Sequence, residues 1–188
     1  MIKGGITIEI RLHGRGGQGA ASASGMLVSA FTEEGKYTCG FPMFGFERRG
    51  APVTTFARFS DKPITEKTMI YTPNCLVVLD SAQLSFPNVF AGFQKGGVLV
   101  ANTNQLPESK PHENCKTLGV VDATSIAIEE IGIAAINTCI LGAFAATTGW
   151  LQLDTLTKIL PVYFKGKMLE TNMRSLERGY HETQIVEY

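Results

Sequence analysis

Residues 13–19 read HGRGGQG, and Gly14, Gly16 and Gly19 satisfy G-x-G-x-x-G. Glycines at this spacing permit a tight strand-to-helix turn and close backbone approach. The first N–H groups of the helix beyond them have no partner within that helix and are free to face an anion. Arg15 adds a planar guanidinium fork suited to phosphate. One reading makes Gly14, Arg15, Gly16, Gly17, Gln18 and Gly19 an anion cradle. The other leaves the glycines only a turn and a close helix–sheet contact. A dinucleotide site needs an acidic residue at the end of a second strand about 20 residues on, to hold ribose hydroxyls. That segment reads KYTCGF and offers no carboxylate, while Glu33 and Glu34 come too early. A nicotinamide or flavin role is therefore disfavoured.

A second cluster is FERRGAP, residues 46–52, with Arg48 and Arg49 side by side in a glycine- and proline-rich stretch. Paired arginines grip phosphates or a partner's carboxylates; the alternative is a solvated loop partly compensated by Glu47. Seven Lys or Arg against four acidic residues fall in residues 1–60, so positive charge gathers near the two glycine-bearing loops although the whole chain, with 17 of each, is neutral. The same loop holds Phe41, Pro42, Met43, Phe44 and Phe46, apolar surface that favours a subunit interface over a small-molecule pocket, the alternative being that these residues fold back on the core.

Other chemistry is missing. His13, His112 and His181 show no metal-ligand spacing. There is no G-x-S-x-G elbow and no GK[ST] loop. Cys39, Cys75, Cys115 and Cys139 lie far apart without a C-x-x-C pair, so reduced and mostly buried thiols are expected, with no metal or iron–sulfur ligation by this chain and a cytoplasmic setting. A neutral balance argues against nucleic acid and gives no reason for an anionic membrane partner. No run approaches a membrane span, and the N-terminus shows no signal peptide. No catalytic constellation stands out; the expected catalytic set is none.

The elements that must position these loops follow from periodicity. Residues 6–12, ITIEIRL, alternate strictly and predict a strand with one buried face, Ile6, Ile8, Ile10 and Leu12 against Thr7, Glu9 and Arg11. AASASGMLVSAFTEEG predicts a helix of small residues ended by Gly35. VTTFARFS predicts a strand that enters from a loop and so runs antiparallel. CLVVLD, GGVLVANT and LGVVDA predict buried parallel strands, with a helix over Leu84 to Phe93. Asp80 and Asp122 end such strands, where α/β ligands bind, and are expected to cap the next helices. Residues 124–188 predict about three helical pieces. Asn137 or Thr138 caps the one running CILGAFAATTG, Asp154 opens another that is interrupted near Pro161, and KMLETNMRSLERGY forms the last. The fold class is α/β, a three-layer α/β/α Rossmann-like arrangement with a mainly parallel, partly mixed sheet. Residues 1–188 show no linker or repeat and predict a single domain.

IRLHGRGGQGAASASGML, GKYTCGFPMFGFERRGAPVTTFARFSDKPI, INTCILGAFAATTG and FKGKMLETNMRSLERGY together resemble, in order and spacing, the gamma subunits of pyruvate and related 2-oxoacid:ferredoxin (flavodoxin) oxidoreductases. The resemblance implies oxidative decarboxylation of a 2-oxoacid with coenzyme A (CoA), giving acyl-CoA, CO2 and reduced ferredoxin. It implies thiamine diphosphate and iron–sulfur clusters on partner subunits. The partners it implies are alpha and beta subunits, a ferredoxin-like delta subunit as a further candidate, and ferredoxin or flavodoxin as acceptor. A homodimer of the isolated chain is left open. It also implies correspondence to the middle domain of single-chain relatives, where CoA is held. The ERRGAPV form resembles pyruvate and branched-chain members more than 2-oxoglutarate members. On this basis the CoA phosphates are expected at Arg15, the backbone of Gly16 to Gly19, and Arg48 and Arg49, with Asn137 as an addition. A purely structural subunit and a free-standing nucleotide-binding protein are the alternatives.

Overall fold

The computed structural model describes residues 7–42 and 50–188. Seven strands form one sheet in the order β2-β3-β1-β4-β5-β6-β7. The strands are β1 (Ile8–Arg15), β2 (Tyr37–Pro42), β3 (Pro52–Ser60), β4 (Cys75–Val78), β5 (Gly97–Asn102), β6 (Cys115–Val121) and β7 (Gln184–Glu187). The centre, β1-β4-β5-β6, is parallel. β3 pairs antiparallel with both β1 and β2, and β7 closes the far edge antiparallel to β6. The mixed α/β sheet is the expected one, with VTTFARFS antiparallel.

The helices are α1 (Ala20–Glu33), α2 (Ala123–Ile131), α3 (Asn137–Thr148), α4 (Leu153–Tyr163) and α5 (Gly166–His181). Residues 124–188 thus hold four helices and an edge strand, not three helical pieces. Gly132 and Gly149, both left-handed, end α2 and α3 and divide the run. α1 and α3 lie on the sheet, and α2, α4 and α5 pack around them. On this face Ile8, Ile10, Leu12, Cys75, Val77, Val98 and Val100 meet Met26, Leu27, Phe31 and Phe144. The Phe31 and Phe59 rings stack with centroids 3.8 Å apart. Pro161 sits in the last turn of α4 rather than interrupting it. All four cysteines are free; Cys75, Cys115 and Cys139 are buried.

The opposite face is covered thinly. The helix expected over Leu84 to Phe93 is replaced by two 3-10 turns, Ser81–Ser85 and Pro87–Phe90. Pro87 starts the second turn and lacks the N–H that a continuous helix needs. These turns bring Val89 and Phe93 onto Leu76, Val78, Leu99 and Leu118.

The expectation of one buried face on β1 is also corrected. Arg11 and His13 are each only 7% exposed; the carbonyls of Ile70, Val89 and Ala91 close over the Arg11 guanidinium, which in turn bonds His13. Arg58 Nη1 donates to the Thr68 carbonyl at 2.6 Å and Arg11 Nη1 to the Ile70 carbonyl at 3.3 Å. Arg58 also pairs with Glu9 at 2.7 Å. Strict alternation reports which side of a strand is apolar. It cannot report whether buried guanidinium groups hold backbone carbonyls over the polar side.

Candidate functional site: the glycine loop and its supports

β1 is the switch point of the sheet: the chain turns to β3 and β2 on one side and to β4 on the other. The glycine loop leaves its C-terminal end, where ligands of open α/β sheets bind. The loop is a tight turn in which Gln18 N–H donates to the Arg15 carbonyl at 3.0 Å. The Gln18 side chain folds back, its Oε1 accepting from Arg15 N–H at 2.7 Å. Gly17 (φ +100°) and Gly19 (φ +82°) take left-handed conformations that favour glycine. At Gly14 an added Cβ would lie 3.2 Å from Gln18 Oε1 and 3.3 Å from Leu79 Cβ.

Gly19 is the N-cap of α1 and supplies no side-chain cap. The N–H groups of Ala20, Ala21 and Ser22 meet no acceptor among the described residues. They open on a cleft of about 220 Å³ lined by Arg15, Gly16, Gly17, Gly19 and these three residues. Three unpaired N–H groups at the positive end of a 14-residue helix suit an anion. A larger hollow of about 430 Å³ lies on the thinly covered face, against Leu84, Phe90, Leu99 and Leu118. Its lining is mostly apolar and its only charged lining residue is Glu108, so it suits an anion less well than the smaller cleft does.

The structure brings the two sequence clusters together at their described ends. Gly16 N–H donates to the Ala51 carbonyl at 2.9 Å and Gly50 N–H to the Gly16 carbonyl at 3.0 Å, extending the β1–β3 ladder into both loops. Arg48 and Arg49, with Met43, Phe44 and Phe46, lie outside the described residues. Asn137 is also at the loop: a Cβ added to Gly19 would fall 3.0 Å from the Asn137 Cβ, so α1 and α3 begin side by side. Capping by Asn137 or Thr138 is corrected. Ile136 is the N-cap of α3 and makes no side-chain cap; Thr138 Oγ1 instead bonds Asn172 Oδ1 at 2.9 Å. The Asn137 Oδ1 is buried without a hydrogen-bond partner.

Arg15 is less free than its position in the motif implies. Its Nε is ion-paired with Asp80 Oδ2, and its Nη1 reaches the Gly50 carbonyl at 3.3 Å. Asp80 does cap the following 3-10 turn, accepting from Ala82 N–H at 3.3 Å, and Asp122 caps α2 through Ser125 N–H at 3.0 Å. Asp80 thus ties β4, its turn and the glycine loop together. Gln83, which sequence reasoning passed over, donates from Nε2 to the Gly14 carbonyl at 2.6 Å. Only proximity in the fold reveals it, because 69 residues separate the two. Replacing Asp80 with asparagine is expected to lower stability by about 1 kcal/mol or less in a thermal melt, since the Arg15 side chain is 38% exposed and solvent screens the pair.

The topology explains the failed dinucleotide test. β2 lies at the sheet edge and does not neighbour β1, so the position where a ribose-binding carboxylate would stand is absent from this sheet order.

Fold and site together define a class: an α/β chain with a glycine loop and an uncapped helix start at a sheet switch point. The chain belongs to the pyruvate ferredoxin/flavodoxin oxidoreductase family, which matches residues 9–182. It is 45% identical over 183 residues to the pyruvate/ketoisovalerate oxidoreductases common subunit gamma of Thermococcus kodakarensis, covering 96% of this chain and 99% of that one. It is 46% identical over 179 residues to the gamma subunit of the NADH-dependent phenylglyoxylate dehydrogenase of Aromatoleum evansii, covering 94% of each. The crystal structure of pyruvate oxidoreductase subunit PORC from Thermotoga maritima superposes with a TM-score of 0.85 at 37% identity, covering 96% of this chain and 99% of that one. The chain is thus a gamma-type subunit of an oxidoreductase complex.

Proposed function

We propose that this subunit handles CoA for a complex that oxidatively decarboxylates a 2-oxoacid, yielding acyl-CoA and CO2 and passing electrons to ferredoxin or flavodoxin. The observation that carries this is the uncapped start of α1, whose Ala20, Ala21 and Ser22 N–H groups face the 220 Å³ cleft. The donor set fits a phosphate of CoA: backbone N–H groups at a helix start, the remaining edge of Arg15, and Arg48 and Arg49 two and one residues before Gly50, which pairs with Gly16. Asn137 stands beside Gly19 to contact the same group. Thiamine diphosphate and iron–sulfur clusters, held by alpha, beta and ferredoxin-like partners, supply carbanion chemistry and electron transfer when bound. This chain's part is to bind and orient. Four free cysteines suit a reducing compartment, and we place the complex in the cytoplasm.

Identity to this chain does not single out the oxoacid: relatives named for pyruvate and ketoisovalerate and for phenylglyoxylate stand at 45% and 46%.

A second reading, a structural subunit without ligand contacts, draws on the Asp80 pairing that already engages Arg15. Titrating CoA against the assembled complex separates the two. Converting Arg48 and Arg49 to alanine is expected to weaken apparent CoA affinity about tenfold or more, as for lost charge-assisted hydrogen bonds. An intact variant complex with unchanged CoA affinity favours the structural reading.

A further inference from the structure

The corner between α4 and α5 combines exposed lysines with exposed apolar side chains. Residues 155–169, TLTKILPVYFKGKML, contain three lysines and lie between Asp154 and Glu170. Lys158, Lys165 and Lys167 are exposed, and none joins an ion pair among the described residues. Val162 is 78% exposed and Met168 58%, with Tyr163 partly so. Val162 lies four residues after Lys158 on α4 and therefore on the same side of the helix.

Local structure accounts for only part of this. Lys165 reaches back to the Pro161 carbonyl near the end of α4. Lys167, however, sits in the first turn of α5, where the helix dipole disfavours a cation and no acidic residue offsets it. The corner is also held firmly. The Tyr163 hydroxyl bonds Ser29 Oγ at 2.6 Å and the Gly25 carbonyl at 3.1 Å, fixing it to α1.

We propose that this corner docks an acidic protein surface with an apolar centre, presented by another subunit of the same complex; the inference rests on the subunit reading above. An apolar centre bordered by charge is the anatomy of a protein interface, and unpaired lysines select a carboxylate-bearing partner. Three lysines fall short of the four to eight basic residues typical of attachment to an anionic bilayer.

The test uses the full chain and the remaining subunits of its complex, with the dissociation constant measured at about 50 mM and about 500 mM salt. Lys158→Glu with Lys167→Glu is expected to weaken assembly about tenfold at low salt, with the deficit shrinking at high salt. Val162→Glu is expected to weaken it about tenfold at both. Lys95→Glu, exposed on the loop before β5, leaves assembly unchanged, and matching thermal melts establish that the variants fold. Wild-type affinity in both corner variants overturns the proposal and leaves the subunit reading standing. So does intact assembly with lost binding to phosphatidylglycerol vesicles, which assigns the corner to a membrane, or with lost self-association, which assigns it to a second copy. A wild-type chain that joins no partner overturns both.

Discussion

Replacing Gly179 with alanine is expected to lower stability by about 3 kcal/mol, at the upper end of ordinary overpacking costs. In a chain of this size that corresponds to a fall in melting temperature of about 10 °C. α3 and α5 cross at Gly142 and Gly179. A Cβ on Gly179 would stand 2.1 Å from the Cys139 carbonyl oxygen, and one on Gly142 would stand 2.1 Å from the Leu176 carbonyl oxygen. Both obstacles are backbone, so no rotamer change relieves them; a whole helix must move. α3 has little room on its other side. A Cβ on Gly119 of β6 would fall 1.9 Å from Thr147 Oγ1. The helix is buried nearly all round, with Cys139, Ile140, Leu141, Ala143 and Phe144 fully enclosed, and its displacement would open the core it fills. Gly142→Ala should cost about as much, and the double variant less than the sum, because one helix shift relieves both contacts. Because α3 begins beside Gly19, the same shift should disturb the glycine loop. Chemical denaturation of the three variants checks the sizes, and a Gly179→Ala chain as stable as wild type would contradict the crossing.

These contacts mark where sequence reading stops. Runs such as CLVV and GVLVAN are legible because a strand covered on both faces needs apolar residues throughout. The strand-to-helix glycine turn is legible because left-handed backbone and an unhindered helix start demand small residues. The pairing of the two loops is expected through the family resemblance rather than from the composition of either, and backbone bonds from Gly16 to Ala51 and from Gly50 to Gly16 join their described ends. Glycines within helices carry no such local signature: Gly142 and Gly179 look like helix-weakening residues until the crossing explains them. Asp80 and Gln83 reach the loop from 65 and 69 residues away, and a single chain offers no sign of that pairing. The 3-10 turns at 81–90 stand where a helix is expected, and Pro87, inside that span, is the sequence signal against a continuous helix.

Arg11 and His13 form the second place where a single change should matter most. Arg11 has no carboxylate partner among the described residues. Its charge is met by carbonyls and by a neutral imidazole: Nη2 donates to the Val89 and Ala91 carbonyls at 2.8 Å each, and Nε donates to His13 Nε2 at 3.0 Å. Arg11→Leu strands the buried Ile70 and Val89 carbonyls and the imidazole nitrogen, and is expected to cost about 4 kcal/mol. His13 can accept that hydrogen bond only while Nε2 is unprotonated. Burial first, and the Arg11 charge second, push its pKa down to about 3. The unfolded chain binds a proton there near pH 6.5, so as pH falls below that value the unfolded state gains a proton the folded state refuses. Stability is therefore full above pH 6.5 and declines towards pH 3, with about 2 kcal/mol lost by pH 5. His13→Gln keeps an acceptor for Arg11 and removes the titration. Its loss of stability between pH 7 and pH 5 should be about 2 kcal/mol smaller than that of the wild type in urea titrations. An identical pH dependence in the two chains would show that the imidazole is not the group responsible.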